Sequence, residues 1–253
     1  MINLIEIFLL LILGIITGCI GAITGMGGVI GIPSLILFGL SPAQSIANLK
    51  LASLGLNIFA IRNFIKSKKV IWKYFLPFLI IIIITTILNA IFIIKLPSFL
   101  LNIIVTTLLI FVMILILLNP DTGIKKKKTN IRKKKKGYFF LSLATFFGTF
   151  IGGLGILKYF IVSKYFGLKY IEANASLRIP WFISSIILTI IFITQNLINY
   201  TIAAPLLIGN MIGGYIGSKI QIEKGELWVK KIFLITLLII TIIKVISFIS
   251  NYF

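Results

Sequence analysis

Histidine is absent from this chain of 253 residues, cysteine occurs once, at Cys19, and aspartate and glutamate together number 5. Without histidine or a cluster of thiols there is no material for a zinc site or a Ser-His-Asp triad, so no metal, no cofactor and no catalytic residue is expected. A lone cysteine also excludes a disulfide scaffold. Charged residues make up only 12% of the chain, about half of what a water-covered surface carries. That leaves almost no room for a soluble enzyme, and an apolar share of 59% excludes disorder. What the chain does have is long hydrophobic sequence, with a mean hydropathy of +1.16. Set against it are 25 Lys+Arg and a net charge of +20. The class that accommodates both is an all-α polytopic membrane protein.

About 20 apolar residues cross a bilayer core of about 30 Å. Runs of that kind lie at 4–23, 43–65, 72–94, 99–119, 138–152, 171–194, 200–217 and 227–249, which predicts about eight long transmembrane helices. Two shorter stretches, 29–40 and 156–166, follow glycine breaks and read as broken or re-entrant helices. Within lipid the remainder must be helical as well, because no water is present to satisfy a bare backbone.

Twenty of the 25 basic residues collect in four places: 62–73, 125–136, 164–169 and 219–231. The turn at Ser41 and Pro42 and the loop 195–199 carry none, and the loop near Pro97 carries only Lys95. If each short stretch returns the chain to the side it came from, all four basic loops share one face. The positive-inside rule makes that face cytoplasmic and places both termini outside a cell membrane. The first 49 residues carry a single charge, Glu6, so no basic leader of a cleaved signal peptide is expected. A Lys-rich tract also suits nucleic acid, but between two spans it reads as an orientation signal touching anionic lipid; membrane lipids are the expected partner and nucleic acid is not.

The sequence repeats at an offset of 128: Phe38-Gly39-Leu40 recurs as Phe166-Gly167-Leu168. The same offset carries Gly25-Met26-Gly27 onto Gly153-Leu154-Gly155, Pro77 onto Pro205 and Lys50 onto Arg178. Residues 1–119 and 138–253 therefore read as two transmembrane repeats joined by a basic cytoplasmic linker, 120–137. Basic 62–73 corresponds to uncharged 190–201, and basic 219–231 to nearly uncharged 91–103. Equivalent loops thus fall on opposite faces, the pattern of inverted-topology repeats in secondary transporters, whose substrate site lies where the halves meet. A duplication serving structure alone is the competing reading.

The glycine breaks and two cations are the candidate chemistry. A reversal at mid-depth presents the free N–H groups of the following helix, which would make Gly25, Gly27, Gly28, Gly153 and Gly155 an anion cradle. Gly14, Gly18 and Gly21, and also Gly209, Gly213 and Gly217, read instead as small-residue packing ridges. Lys50 and Arg178 lie about two turns inside their helices, where a cation costs about 2.5–3.5 kcal/mol and normally has a partner. The one carboxylate near a span centre, Glu172, shares a face with Arg178 poorly. Two buried cations with too few anions imply an anionic ligand; snorkelling towards the headgroups is the alternative. Asn48, Ser45 and Asn57 near Lys50, and Asn174, Ser176 and Ser185 near Arg178, offer further donors, with Asn48 and Ser176 taken as part of the site.

Three stretches carry a family likeness: Gly25-Met26-Gly27-Gly28 followed by Pro33, the turn Phe38-Gly39-Leu40-Ser41-Pro42, and Ala47-Asn48-Leu49-Lys50-Leu51. Gly153-Leu154-Gly155 and Ala175-Ser176-Leu177-Arg178 echo them in the second half. In these the chain resembles the sulfite exporter TauE/SafE family over essentially its whole length. The resemblance implies transport of small sulfur-containing anions and matches Lys50 to the lysine of the family's Thr-Asn-Lys-type stretch. Departures are Asn48 and Leu49, Arg178 where lysine is usual, and Ile156 where glycine is common, followed by Lys158.

The function expected is a secondary carrier, favouring export, for a small anion such as sulfite, thiosulfate or a sulfonate, and not an enzyme. An anion leaving a negative interior gains about 2.3 kcal/mol per charge per 100 mV, whereas import needs a coupled cation. Glu172 is the one plausible proton carrier within the spans. Two other classes stay open: a lipid-phosphate membrane enzyme, and a non-transporting assembly protein whose glycine ridges would join copies into a homo-oligomer.

Overall fold

The computed structural model describes residues 3–92, 107, 111, 113–149 and 154–252, and among these every regular element is helical. The first helix, α1 (Leu4–Thr24), starts where Asn3 and Glu6 cap each other's backbone N–H groups at 2.9 and 2.8 Å. It stops at Gly25, whose φ of 68° is the left-handed conformation that ends helices. After two residues the short α2 (Gly27–Leu37) begins, and Ser41, Pro42 and Gln44 open α3 (Pro42–Lys66) with a second capping box. A single 3-10 turn (Trp72–Tyr74) leads into α4 (Phe75–Phe92). The remaining helices are α5 (Ile131–Thr149), α6 (Gly155–Phe166), α7 (Tyr170–Thr194) and α8 (Tyr200–Tyr252). Within α8 the helix is interrupted at Gly225 (φ 80°).

Among the described residues, three stretches are long and apolar enough to cross a membrane by length and composition: Leu4–Thr24, Tyr170–Thr194 and Tyr200–Ile239. At 1.5 Å per residue, α2 and α6, with 11 and 12 residues, reach about half of a bilayer core, as their glycine-bounded sequences predicted. Most of the expected span at 99–119 lies outside the described residues. The basic linker differs from expectation in its second half. Asn130 Oδ1 accepts from Lys133 N at 2.9 Å, so Arg132 to Lys136 form the first turns of α5 rather than a loop. The first half is a strap: Gly123 O accepts from Tyr170 N at 2.8 Å and Lys127 N donates to Gly167 O at 3.1 Å.

Packing joins the early and late parts of the chain. Helix α1 lies along α8, α3 touches both α7 and α8, and α4 rests on α7 and α5. The α1–α8 contact is a seam of glycines. A Cβ on Gly209, Gly213 or Gly217 would stand 2.3, 2.2 or 2.5 Å from the carbonyl oxygens of Leu11, Ile15 and Cys19. Reciprocally, a Cβ on Gly14 or Gly18 would stand 2.7 or 2.8 Å from the Leu206 and Asn210 oxygens. These ridges are backbone-to-backbone packing, as their spacing implied. Helix α6 is the most enclosed element: every residue from 154 to 163 is buried, a pattern expected of a helix surrounded on all sides. Outside, Leu4, Phe8, Leu76, Ile84, Ile190 and Leu227 are exposed apolar side chains of the kind a bilayer covers.

Candidate functional site

Beside the seam and the two short helices the bundle leaves a partly open cavity of about 130 Å³, where one water needs roughly 10–15 Å³. The break after α1 and the start of α2 contribute Gly25, Gly27 and Gly28 to its wall. The first N–H groups of any helix lack intrahelical acceptors, so the start of α2 brings partial positive charge to the cavity. Helix α3 supplies Lys50, Ser53 and Asn57; α7 supplies Arg178, Trp181 and Ser185. Each set is spaced i, i+3, i+7, which keeps one helix face towards the space. Thr17, Thr145 and Asn210 add polar groups, and Lys158 enters from α6. Among the described residues, no aspartate or glutamate lines the wall.

Arg178 is 2% exposed and held by the end of α1. Its Nη2 donates to Ala22 O at 2.8 Å, and Gly21 O lies 3.4 Å from both terminal nitrogens. Asn174 Oδ1 accepts from it one turn earlier, Tyr159 OH lies at 3.2 Å, and Asn57 Oδ1 at 3.5 Å. Asn174 and Gln221 also donate to Ala22 O, at 2.8 and 3.0 Å, and so tie α1, α7 and α8 at one point. The carbonyl end of α1 carries partial negative charge, which suits a cation there. Two buried N–H donors among the described residues of the wall have no acceptor, Arg178 Nε and Trp181 Nε1.

Among the residues expected at the site, the structure gathers Lys50, Arg178, Gly25, Gly27 and Gly28 on the cavity wall. Gly153 lies outside the described residues. Gly155 is near but serves packing: its Cβ position would be 2.3 Å from Thr24 O and 2.4 Å from Gly25 Cα, so the start of α6 lies against the end of α1. Asn48 and Ser176 are not on the wall. Each sits two residues before its cation, about 200° round the helix, and points to a loop instead. Asn48 Oδ1 accepts from Asn199 N at 3.1 Å, and Ser176 Oγ accepts from Ile71 N at 2.9 Å. Asn48→Ala is therefore expected to lower thermal stability by about 1–2 kcal/mol through the loosened 196–199 turn. A melting temperature in detergent equal to that of the wild type would contradict this role.

Glu172 is also placed differently from expectation. It caps the first turn of α7, accepting from Lys169 N at 3.2 Å, and pairs with Lys126 of the strap at 2.8 Å. It therefore faces the basic linker, not the cavity. The polar residues not assigned from the sequence are Thr17, Ser53, Thr145, Lys158, Trp181, Ser184 and Asn210 on the wall, and Tyr159 beside Arg178. The i+3 positions after Lys50 and Arg178 carried a signal for Ser53 and Trp181, whereas Lys158 and Tyr159 are joined to the cations only by the fold.

Comparison with known proteins supplies a family. The family model described as Sulfite exporter TauE/SafE matches residues 10–244. The chain is 25% identical over 228 residues to a "Probable membrane transporter protein" of Haemophilus influenzae, with 86% of each chain covered. No solved structure matches it.

Proposed function

The chain belongs to the sulfite exporter TauE/SafE family, and from that premise we propose that it is a secondary carrier exporting a small anion, a sulfur oxyanion or sulfonate such as sulfite, thiosulfate or a short sulfonate. Membership in a family of membrane transporters accounts for the long apolar helices and the exposed apolar side chains. The observation that carries the anion reading is the charge of the cavity. Lys50, Lys158 and Arg178 line it without any carboxylate, next to the free N–H end of α2. An empty cavity of that charge at membrane depth is costly, and an anion relieves it. Export follows from the same composition: with no acid on the wall to carry a proton, the membrane potential itself drives the anion out.

In this reading the chain is two inverted halves, about eight long spans and two short broken helices, with the basic loops cytoplasmic and both termini outside. Support comes from the wall itself, which draws on both members of several pairs 128 residues apart. Thr17 and Thr145, Lys50 and Arg178, Asn57 and Ser185, and Ile82 and Asn210 all line the one cavity. Substrate sites between inverted repeats have this property because the site straddles the pseudo-symmetry axis.

Flux of labelled sulfite and thiosulfate in proteoliposomes, with the interior made negative, tests the proposal. Lys50 makes no hydrogen bond through its ammonium among the described residues, so Lys50→Ala should fold normally and lower flux at least about tenfold, the loss expected for one charge-assisted contact. Wild-type flux in Lys50→Ala would remove the cation site. No flux of any tested anion by the wild type would remove the carrier.

A further inference from the structure

We infer that Lys158 forms with Lys50 a two-ammonium clamp that selects a doubly charged oxyanion over a singly charged one. The inference rests on the anion-carrier reading and specifies which anions that carrier takes.

Of the three cations on the wall, Arg178 is already engaged by the Gly21 and Ala22 carbonyls, Asn57, Asn174 and Tyr159. Lys158 is not. It is 5% exposed, in the first turn of α6 and within the stretch 154–163 whose every residue is buried, and its ammonium makes no hydrogen bond and no ion pair among the described residues. Its nearest electrostatic comfort is the face of Trp181, with Nζ 4.6 Å from the ring centroid, and Arg178 shares that ring at 5.6 Å. A cation–π contact offsets only a small part of the cost of burying an ammonium. Lys50, on the wall of the same cavity, has no acceptor for its ammonium among the described residues either, and two like charges lining one small space repel one another.

The fold keeps this arrangement deliberately close. Gly148 leaves the room into which Lys158 folds: a Cβ there would stand 2.9 Å from Lys158 Cε and 3.1 Å from Nζ. In the other half the equivalent position, 128 residues earlier, is Ile30, so the third cation belongs to one repeat only. The cavity therefore presents two ammoniums without counter-charge, and two negative charges on one small ligand are what neutralise both. Trp181 Nε1, buried without an acceptor, is a further donor on the same wall. A monoanion satisfies one ammonium and leaves the other buried beside it; the difference between the two ligands is the source of selectivity.

The test reads intrinsic tryptophan fluorescence, with Trp181 on the cavity wall, at fixed ionic strength in purified full-length protein. Thiosulfate and sulfate are titrated as dianions, methanesulfonate and nitrate as monoanions. The wild type is expected to bind at least one dianion about tenfold or more tighter than either monoanion. Lys158→Ile, which installs the residue of the other half, should weaken that dianion at least about tenfold while changing the monoanions less than about threefold; Lys158→Arg should retain most of the preference. Equal loss for both classes, or no loss, overturns the clamp. Parity between the classes in the wild type overturns it too, and needs no variant to fold. Monoanion binding and flux at wild-type parity would leave the carrier standing and remove only the selection, whereas no binding of any of the four anions would remove both.

Discussion

Arg178→Ala is expected to destabilise the protein by about 3–5 kcal/mol, a different outcome from Lys50→Ala, although both remove one cation from the same cavity. The guanidinium is enclosed and donates to Gly21 O, Ala22 O and Asn174 Oδ1, so its removal strands buried acceptors at the end of α1. Stranded buried acceptors cost about 1–3 kcal/mol each, and total stabilities of roughly 5–15 kcal/mol leave little margin for several. Asn174 and Gln221 still donate to Ala22 O, which limits the damage to part of the network. Thermal unfolding in detergent checks the number. Arg178→Lys should recover little of the loss, because one ammonium cannot reach Gly21, Ala22 and Tyr159 together as the planar fork does. If Arg178→Ala melts with the wild type, the network at the end of α1 is not what holds α7 in place.

The second large effect is expected at the glycine seam. Gly213→Leu should yield no folded, monodisperse protein, and Gly213→Ala should cost about 1–3 kcal/mol. The reason is what the new Cβ would meet: Ile15 O at 2.2 Å and Cys19 N at 2.7 Å are backbone atoms, which cannot swing aside as a flexible side chain can. Helices α1 and α8 would have to separate along their length, since Gly209 and Gly217 make the same kind of contact one turn away on either side. Ile212→Leu, on the adjacent exposed position, is the control and should unfold with the wild type. Normal folding of Gly213→Leu would mean that the two helices do not touch there.

Much of this arrangement was legible in the sequence because the signals were local. Glycine and proline mark where α1 stops and α2 starts, and Ser41-Pro42 opens α3 by a cap that needs only its own first turn. Lys50 and Arg178 stood out because a cation is rare in an apolar run. The residues misread were those whose environment is set by distant chain. Asn48 and Ser176 were near their cations in number but opposite in direction, and only helical phase separates them from Ser53, Asn57, Trp181 and Ser185. Arg132 to Lys136 were too polar for hydropathy to register as helix, yet Asn130 caps them. Lys158 looked like an ordinary lysine beside a glycine break, until α6 proved to be surrounded on every face.

The glycine seam also bears on how the protein is made. Gly14 is synthesised about 195 residues ahead of Gly209, the backbone it will touch. At roughly 5–20 residues per second, α1 waits about 10–40 s in the membrane with its small-residue face unmatched. Contacts this far apart in the chain are also the slow ones to form. Helix α1 thus precedes by most of the described chain the helix against which its glycine face packs, and during that wait the face is open to any other helix that passes.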